Sequence, residues 1–402
     1  MTTLAPELAG LKVALVHFWH VRRGGAERVL EEQARIFPHA DLYFLVADSR
    51  TMAPSLREHR IRTSFLQRWP GSRRHHRFYL PLYPLALESF DLSGYDLVIS
   101  NESGPAKGVI TGPSTCHLCY CHTPMRYIWE MTHEYRRGMP GGWAGRGVFG
   151  LTCHYMRQWD LATAARVDHF VANCENVARR VQKHYRRKCD VIYPPVLTRE
   201  MLEEPVLAEP PGDYYLVVSR LVAYKRIDLA VQACRRLGRR LLIIGGGEEE
   251  KRLRAMAGPG IEFLGEVGDE EVRGWLRSCR ALIFPGEEDF GYAPVEAQAS
   301  GRPIIAFGRG GVLETVRPWG PGTPVGGASG VLFFDATVES LVSAVERFES
   351  VEDEWRPAVI RAGVLQFDSA NFRRRLLAVV AEQLGVATSG AARTSAGANG
   401  CI

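Results

Sequence analysis

Two carboxylates eight residues apart carry the most specific chemical signature in the sequence. They are Glu288 and Glu296 in Glu-Asp-Phe-Gly-Tyr-Ala-Pro-Val-Glu, which runs on into Ala-Gln-Ala-Ser-Gly-Arg-Pro. The apolar stretch Ala-Leu-Ile-Phe-Pro before them reads as a strand, and Pro-Val-Glu-Ala-Gln-Ala-Ser as a helix. Glu288 then belongs to the loop at the carboxyl end of the strand, and Glu296 to the first turns of the helix. Gly291 lets the backbone come close to a ligand. The helix start around Tyr292 and Ala293 offers unpaired N–H groups to a phosphate. Carboxylates beside a phosphate site have a use when the same ligand carries hydroxyls, which a carboxylate binds in pairs. Ordinary acidic capping of a helix accounts for Glu288 but not for the whole constellation.

A second motif supplies cations. In Ser-Arg-Leu-Val-Ala-Tyr-Lys-Arg-Ile-Asp, Arg220 closes a strand-like run and Lys225 leads into a helix. Two cations at the end of a strand suit a diphosphate, and they can neutralise the charge that develops on a departing nucleoside diphosphate. No Asp-x-Asp triplet occurs in the chain, so the expectation is a diphosphate held by side chains, with no metal and no other cofactor. Gly24 and Gly25 follow the first strand in Gly-Gly-Ala-Glu. They permit either a ligand's close approach or an ordinary strand-to-helix turn. His17, His20, Arg22 and Arg23 flank them, with no role assigned. His122 ends the run His-Leu-Cys-Tyr-Cys and opens His-Thr-Pro-Met-Arg-Tyr-Ile-Trp. A lone histidine is more often structural, but a strand end is where ligands collect. Arg126, Tyr127 and Trp129 follow in a loop and could contact a second substrate.

These motifs sit where apolar runs stop. Leu11 to Trp19, then Asp-Leu-Tyr-Phe-Leu-Val-Ala, Asp-Leu-Val-Ile-Ser, His-Leu-Cys-Tyr-Cys and His-Phe-Val-Ala-Asn read as strands separated by amphipathic stretches. The first series ends near Val196, where Pro194-Pro195 cannot continue a central strand. A second series starts at Tyr-Tyr-Leu-Val-Val-Ser-Arg and ends with Gly-Val-Leu-Phe-Phe and a helix. Two such series predict two doubly wound α/β domains, at 1–196 and 213–365, joined by a linker at 197–212. Ligands would bind in the cleft beyond the strand ends. A capped amphipathic helix follows within 366–386, and 387–402 is small, polar and aperiodic, as a disordered tail would be.

At 402 residues the chain is long enough for two cores. Its hydrophobic fraction of 46% and charged fraction of 24% are those of a globular protein. No apolar run reaches the roughly 18 residues of a membrane span, and the N-terminus lacks a secretory pattern, so a cytoplasmic location is expected. The nine cysteines are scattered. The cluster from Cys116 to His122 lacks a second knuckle and lies in a strand, which disfavours zinc. Residues 1–196 hold 26 Lys and Arg against 17 Asp and Glu, while the rest hold 24 against 28. Seven arginines (57, 60, 62, 68, 73, 74 and 77) against Glu58 alone lie between Arg57 and Arg77, interleaved with aromatic and apolar residues. That segment is either a solvated helical face or a contact for anionic lipid or a pyrophosphate-bearing acceptor. No recognition motif accompanies it that would point to nucleic acid.

Glu, seven residues, Glu and a small-residue run closed by Gly-x-Pro, with Arg220 and Lys225 some 60 residues earlier, resembles the retaining glycosyltransferases of family 4, across about residues 11–385. The resemblance implies the GT-B fold, two facing Rossmann-like domains with the last helix crossing back to the first. It implies that Glu288 holds hydroxyls of a donor hexose and that Glu296 binds the ribose. Gly291, Tyr292 and Ala293 would meet sugar and distal phosphate through their backbone. Arg220, Lys225 and Gly25 would serve the diphosphate, and Val267 would lie at the nucleobase. Gly24 would sit near the acceptor, and His122 would contact the donor sugar. His-Thr-Pro-Met-Arg-Tyr-Ile-Trp-Glu and Ser-Asn-Glu-Ser-Gly-Pro-Ala-Lys resemble bacterial polysaccharide and O-antigen mannosyltransferases. GDP-mannose is therefore the expected donor, and a saccharide, soluble or polyprenyl-diphosphate-linked, the expected acceptor. UDP-sugars remain open. A sugar-nucleotide epimerase of the same architecture would need a separate acid/base set. An NAD-dependent oxidoreductase would show Gly-x-Gly-x-x-Gly after the first strand. A non-catalytic binding subunit would have no need of all four charged residues.

Overall fold

The computed structural model describes residues 8, 10–196, 198–203, 212–320 and 324–386, and the expected tail at 387–402 lies outside them. The first seven strands are β1 Val13–His20, β2 Asp41–Ala47, β3 Ile61–Thr63, β4 Leu97–Glu102, β5 Cys116–Cys121, β6 His169–Ala172 and β7 Cys189–Val191. They form one parallel sheet in the order β3-β2-β1-β4-β5-β6-β7. Six more are β8 Tyr214–Val218, β9 Arg240–Ile244, β10 Ile261–Gly265, β11 Leu282–Phe284, β12 Ile304–Phe307 and β13 Gly330–Phe333. Their order is β10-β9-β8-β11-β12-β13, again parallel. Each sheet reverses its winding once, between β1 and β4 and between β8 and β11. Crevices for ligands open at such reversals.

Near-continuous apolar runs become strands buried on both faces, as parallel sheets require. Along β1 the two-residue period divides the side chains between two cores. Val13 and Leu15 join Leu42, Ile99 and Leu118, whereas Ala14, Val16 and Phe18 join Leu80, Tyr83 and Met156. Seven helices matter below: α1 Gly25–Ile36, α2 Arg126–Trp129, α3 Thr132–Arg137, α4 Gly142–Thr163, α5 Glu175–Tyr185, α6 Tyr292–Ala299 and α7 Ser369–Gln383. Asp368 caps α7 by accepting from the Ala370 N–H at 2.8 Å. Phe372, Leu376, Val380 and Ala381 of α7 pack into the core beneath β1 and β2. The last described helix is thus bound into the first sheet's domain.

The local structure differs from a reading of the sequence in three places. The arginine-rich segment is not one helical face. It breaks into short helical turns around β3, because Pro70, Gly71 and Pro81 interrupt any longer helix. The segment read as a linker begins with a helical turn, Thr198–Glu203. No sequence pattern announces the long helix α4: its four glycines (142, 145, 147 and 150) argue against helix, and burial of Cys153, Met156, Asp160 and Thr163 overrides them.

Candidate active site

The loops after β8 and β11 meet at the second sheet's reversal. Lys225, only 8% exposed, sits in a helical turn after β8 and ion-pairs with Glu288, from the loop after β11. The Glu288 backbone is fixed by a bridge to Gly310 and by its carbonyl, which accepts from the Gly311 N–H at 2.8 Å. Arg220 lies at the exposed mouth and donates to the Tyr224 hydroxyl at 2.8 Å. Arg126 reaches in from the first domain, with its guanidinium 5.9 Å from the Tyr224 ring centroid and 4.0 Å from the Asp289 carboxylate. Burial, and then repulsion from Arg220 and Arg126, pull the Lys225 ammonium toward its neutral form, while contact with Glu288 opposes this. Three converging cations with one of them buried are an unfavourable arrangement on their own and a favourable one around an anion.

Gly291 begins α6 at φ +85°, a backbone conformation open to glycine at little cost. No side chain caps that helix start, so the N–H groups of its first turn face the cleft's electrostatics unpaired by a cap. The Tyr292 hydroxyl donates to the Gly25 carbonyl at 3.1 Å. A Cβ on Gly25 would lie 2.7 Å from the Tyr292 ring, so glycine is required there by contact between the domains. Glu296 faces Arg28 of α1 and is ion-paired with it. Val267 follows β10 and packs against the second domain's core, beside Glu266, which pairs with Arg22.

In the first domain, His122 follows β5 and is 8% exposed. Its N–H donates to the Glu102 carbonyl at 2.7 Å. Its Nε2 is buried without a hydrogen-bond partner. Burial first, then the nearby His17, push its pKa down to about 3, so the ring is neutral near pH 7. His17 Nε2 lies 3.3 Å from the buried Glu27 carboxylate. A neutral imidazole with a free ring nitrogen can hydrogen-bond a hydroxyl, but with so low a pKa it is a weak base.

The predicted residues are therefore not all in equivalent positions. Lys225, Glu288, Arg220 and Arg126 are brought together, with α6 opening beside them. Gly25 with Tyr292 and Arg28 with Glu296 meet across the cleft as contacts between the domains, whereas Gly24 stays within the first domain, its carbonyl accepting from the Arg28 N–H at 3.1 Å. Tyr127 and Trp129 are held by their own domain: the Tyr127 hydroxyl lies 2.9 Å from Met125 Sδ, and the Trp129 indole donates to Asp160 at 2.7 Å and stacks on His184. Cys119 and Cys121 are buried in β5, and His117 is hydrogen-bonded to Ser100 and the Arg166 carbonyl. No group of three or more potential metal ligands exists among the described residues. Residues that the sequence did not single out also line the cleft. Arg28 bridges Glu296 and Asp269, and Arg180 binds Asp289. The Glu314 carboxylate accepts from the N–H groups of Glu175 and Asn176 at 2.8 and 2.9 Å. These contacts join residues more than a hundred positions apart, and no local pattern announces them.

Residues 23–200 match the family model described as Glycosyltransferase Family 4, and residues 200–363 the model described as Glycosyl transferases group 1. The glycogen synthase of Pseudomonas syringae pv. syringae is 29% identical over 202 residues, 47% of this chain and 36% of its own length. A GDP-mannose-dependent alpha-mannosyltransferase of Corynebacterium glutamicum is 36% identical over 100 residues, 25% of this chain and 24% of its own length. The chain thus spans well under half the length of these curated relatives. The solved structure of Anabaena HepE in complex with UDP matches with a TM-score of 0.65 at 15% identity, covering 92% of this chain and all of that one. The catalytic domain of starch synthase IV from Arabidopsis thaliana, bound to ADP and acarbose, matches at 0.63 and 13%, covering 94% of this chain and all of that one. Both sheets, the site between them and both family models lead to one assignment: the chain belongs to glycosyltransferase family 4 and has the GT-B fold.

Proposed function

We propose that the chain transfers a hexose from a nucleoside diphosphate sugar to a hydroxyl of a saccharide acceptor, with retention of anomeric configuration and without a metal. The observation that carries this reading is the gathering of Arg220 and Arg126 around the buried Lys225, which ion-pairs with Glu288 at the sheet reversal. In this reading the cations hold the diphosphate and stabilise its charge as the bond from anomeric carbon to phosphate oxygen breaks. Glu288 binds hydroxyls of the hexose, and Gly291, Tyr292 and Ala293 meet sugar and phosphate through their backbone. The buried Nε2 of His122 orients a sugar hydroxyl. The acceptor oxygen bonds to the anomeric carbon on the face the phosphate leaves, and its proton passes to the departing phosphate oxygen. Glu296 binds the ribose after exchanging Arg28 for the hydroxyls, with Val267 beside the base.

GDP-mannose is the proposed donor, supported by the likeness to the Corynebacterium mannosyltransferase. The fold likeness to HepE, solved with UDP, favours a UDP-sugar as the second reading. The proposed acceptor is a polyprenyl-diphosphate-linked saccharide of bacterial polysaccharide synthesis, met at the cytoplasmic face of the membrane. The exposed Phe78 and the basic run Arg73, Arg74 and Arg77 would touch anionic lipid there. No described helix is long and apolar enough to cross a membrane.

The test is transfer of labelled sugar in EDTA by the wild type and by Glu288→Ala. We expect at least a hundredfold loss in the variant. Full activity in the variant would remove Glu288 from the site. Thermal shifts with GDP, UDP and ADP decide the base: stabilisation by UDP and not GDP would overturn the mannose reading.

A further inference from the structure

The cleft leaves the long helix α4 without a role. Its inner stripe packs on the first domain, but its outer surface is apolar and open to solvent. Trp143 is 89% exposed, Leu151 72% and Val148 68%. Val148, Leu151 and Tyr155 follow one helical stripe, at spacings of three and four. Gly147, Gly150 and Arg157 follow the neighbouring stripe, and these three line a hollow of about 510 Å³. On its other side the hollow is bounded by Trp129, Thr132, His133 and Arg136. No carboxylate lines it. The sequence from Arg136 to Trp159 contains Arg136, Arg137, Arg146 and Arg157 and no Asp or Glu. The Thr132 hydroxyl is buried without a hydrogen-bond partner. A Cβ added at Gly147 or Gly150 would meet nothing within 4 Å, so both glycines leave the hollow open to the helix backbone.

The hollow also lies close to the cleft. Arg126 at the start of α2 faces Asp289 and Tyr224 of the second domain. Trp129, three residues later, lines the hollow, so about one helical turn of about 5 Å separates the two. A basic hollow, a free hydroxyl and a flanking apolar stripe match a ligand with an anionic head and an apolar chain. Arginine binds phosphate oxygens in pairs, and exposed Trp, Leu and Val gain by leaving water.

We propose that the hollow between α3 and α4 binds the phosphate or diphosphate head of an amphiphilic acceptor, with the outer stripe of α4 against its lipid chain. The proposal rests on the transferase reading of the cleft and adds where the acceptor's anionic head is held. It places that head apart from the arginine run at 73–77, which touches lipid only as a charged surface.

Gly147→Leu with Gly150→Leu tests it by filling the hollow. Leucine is favoured over glycine in a helix and each side chain enters open space, so α4 should persist, as circular dichroism would verify. The probe is flotation with phosphatidylcholine vesicles carrying polyisoprenyl phosphate, against vesicles carrying phosphatidylglycerol at equal charge. We expect the wild type to prefer polyisoprenyl phosphate, and the double variant to lose that preference at least tenfold. Arg136→Gln, which does not fill the hollow, should weaken the same binding. Equal binding of both vesicle types by wild type and double variant would reduce the surface to general electrostatic attraction and overturn the proposal. Nucleotide thermal shift separates the two readings. Selective vesicle binding by a protein that no nucleotide stabilises would sink the transferase reading and leave the hollow standing.

Discussion

The cleft has two flanks that use the same charge pattern at different depths. On the outer flank, Arg22, Arg23 and Arg28 face Glu266, Asp269 and Glu296. The side chains of Arg22 and Glu266 are 53% and 62% exposed. On the inner flank, Arg180 and Asp289 are 11% and 15% exposed. Asp289 is held further by the Asn176 amide at 3.3 Å and, through its carbonyl, by the Cys174 thiol at 2.8 Å. In both places the first domain gives arginine and the second gives carboxylate, which is where the uneven charge of the two halves is used. Depth decides the energetics. Exposed pairs are worth about 0–1 kcal/mol, whereas removing one partner of a buried pair costs about 3–5 kcal/mol. The exposed outer pairs of Arg22 and Arg23 can part at little cost, the Arg28–Glu296 pair at the base of that flank (30% and 16% exposed) parts for a ligand that competes for Glu296, and the inner flank keeps the domains in register.

The largest effect should come from Asp289→Ala. It leaves the Arg180 cation buried, with Glu130 and Glu287 as its remaining carboxylates. We expect a loss of about 3 kcal/mol in chemical denaturation. A loss no larger than that of an outer-flank variant would erase the distinction between the flanks.

Next in size is Glu314→Ala. The carboxylate sits at the N-terminus of α5 from across the cleft and occupies two of its free N–H groups. Removing a cap and a favourable charge together costs about 1–2 kcal/mol. Amide hydrogen exchange at Glu175 and Asn176 should accelerate at least tenfold. Unchanged exchange would show that the capping contact contributes nothing to the inner flank.

The sheets were legible because parallel strands are continuous apolar runs, from Leu11–Trp19 to Gly-Val-Leu-Phe-Phe. β3 was not, since Ile61–Thr63 is a short edge strand with no apolar run. α4 was not, since glycine propensity points the wrong way and only packing settles the matter. The motif residues were legible by chemical type, and the structure pairs Lys225 with Glu288. Their other partners were not. That Glu296 faces Arg28 and Gly25 faces Tyr292 depends on how two domains dock, and docking leaves no periodicity in either segment.

His122 lies at the strand ends between the flanks and yields a smaller, pH-dependent effect. Its folded pKa of about 3 lies below the ordinary 6.5. The unfolded chain therefore takes up the proton first, and stability falls as pH drops from near 6.5 toward 3. By pH 5.5 the loss is about 1 kcal/mol. His122→Gln should lack this part of the acid sensitivity. Melting temperatures at pH 7.5 and 5.5 compare the two proteins, and equal drops would mean that the ring is not held neutral by burial.

The smallest effect on stability belongs to the outer flank. Arg22→Ala should change the melting free energy by no more than about 0.5 kcal/mol, because both partners are hydrated and water replaces the lost contact. Arg23 differs from Arg22 in one respect: Glu31, almost fully buried, grips its guanidinium at 2.7 and 2.9 Å and aims it at Asp269. A pre-aimed arginine loses less side-chain entropy on pairing, so Arg23→Ala should exceed Arg22→Ala in its effect on closure. Closure is read by small-angle scattering without nucleotide. The radius of gyration should rise in the order wild type, Arg22→Ala, Arg23→Ala. Added salt should shrink the differences by screening the exposed pairs while leaving the Asp289→Ala defect in place. If salt abolishes both effects alike, Arg180 and Asp289 are no better shielded from water than Arg22 and Glu266, and depth does not distinguish the flanks.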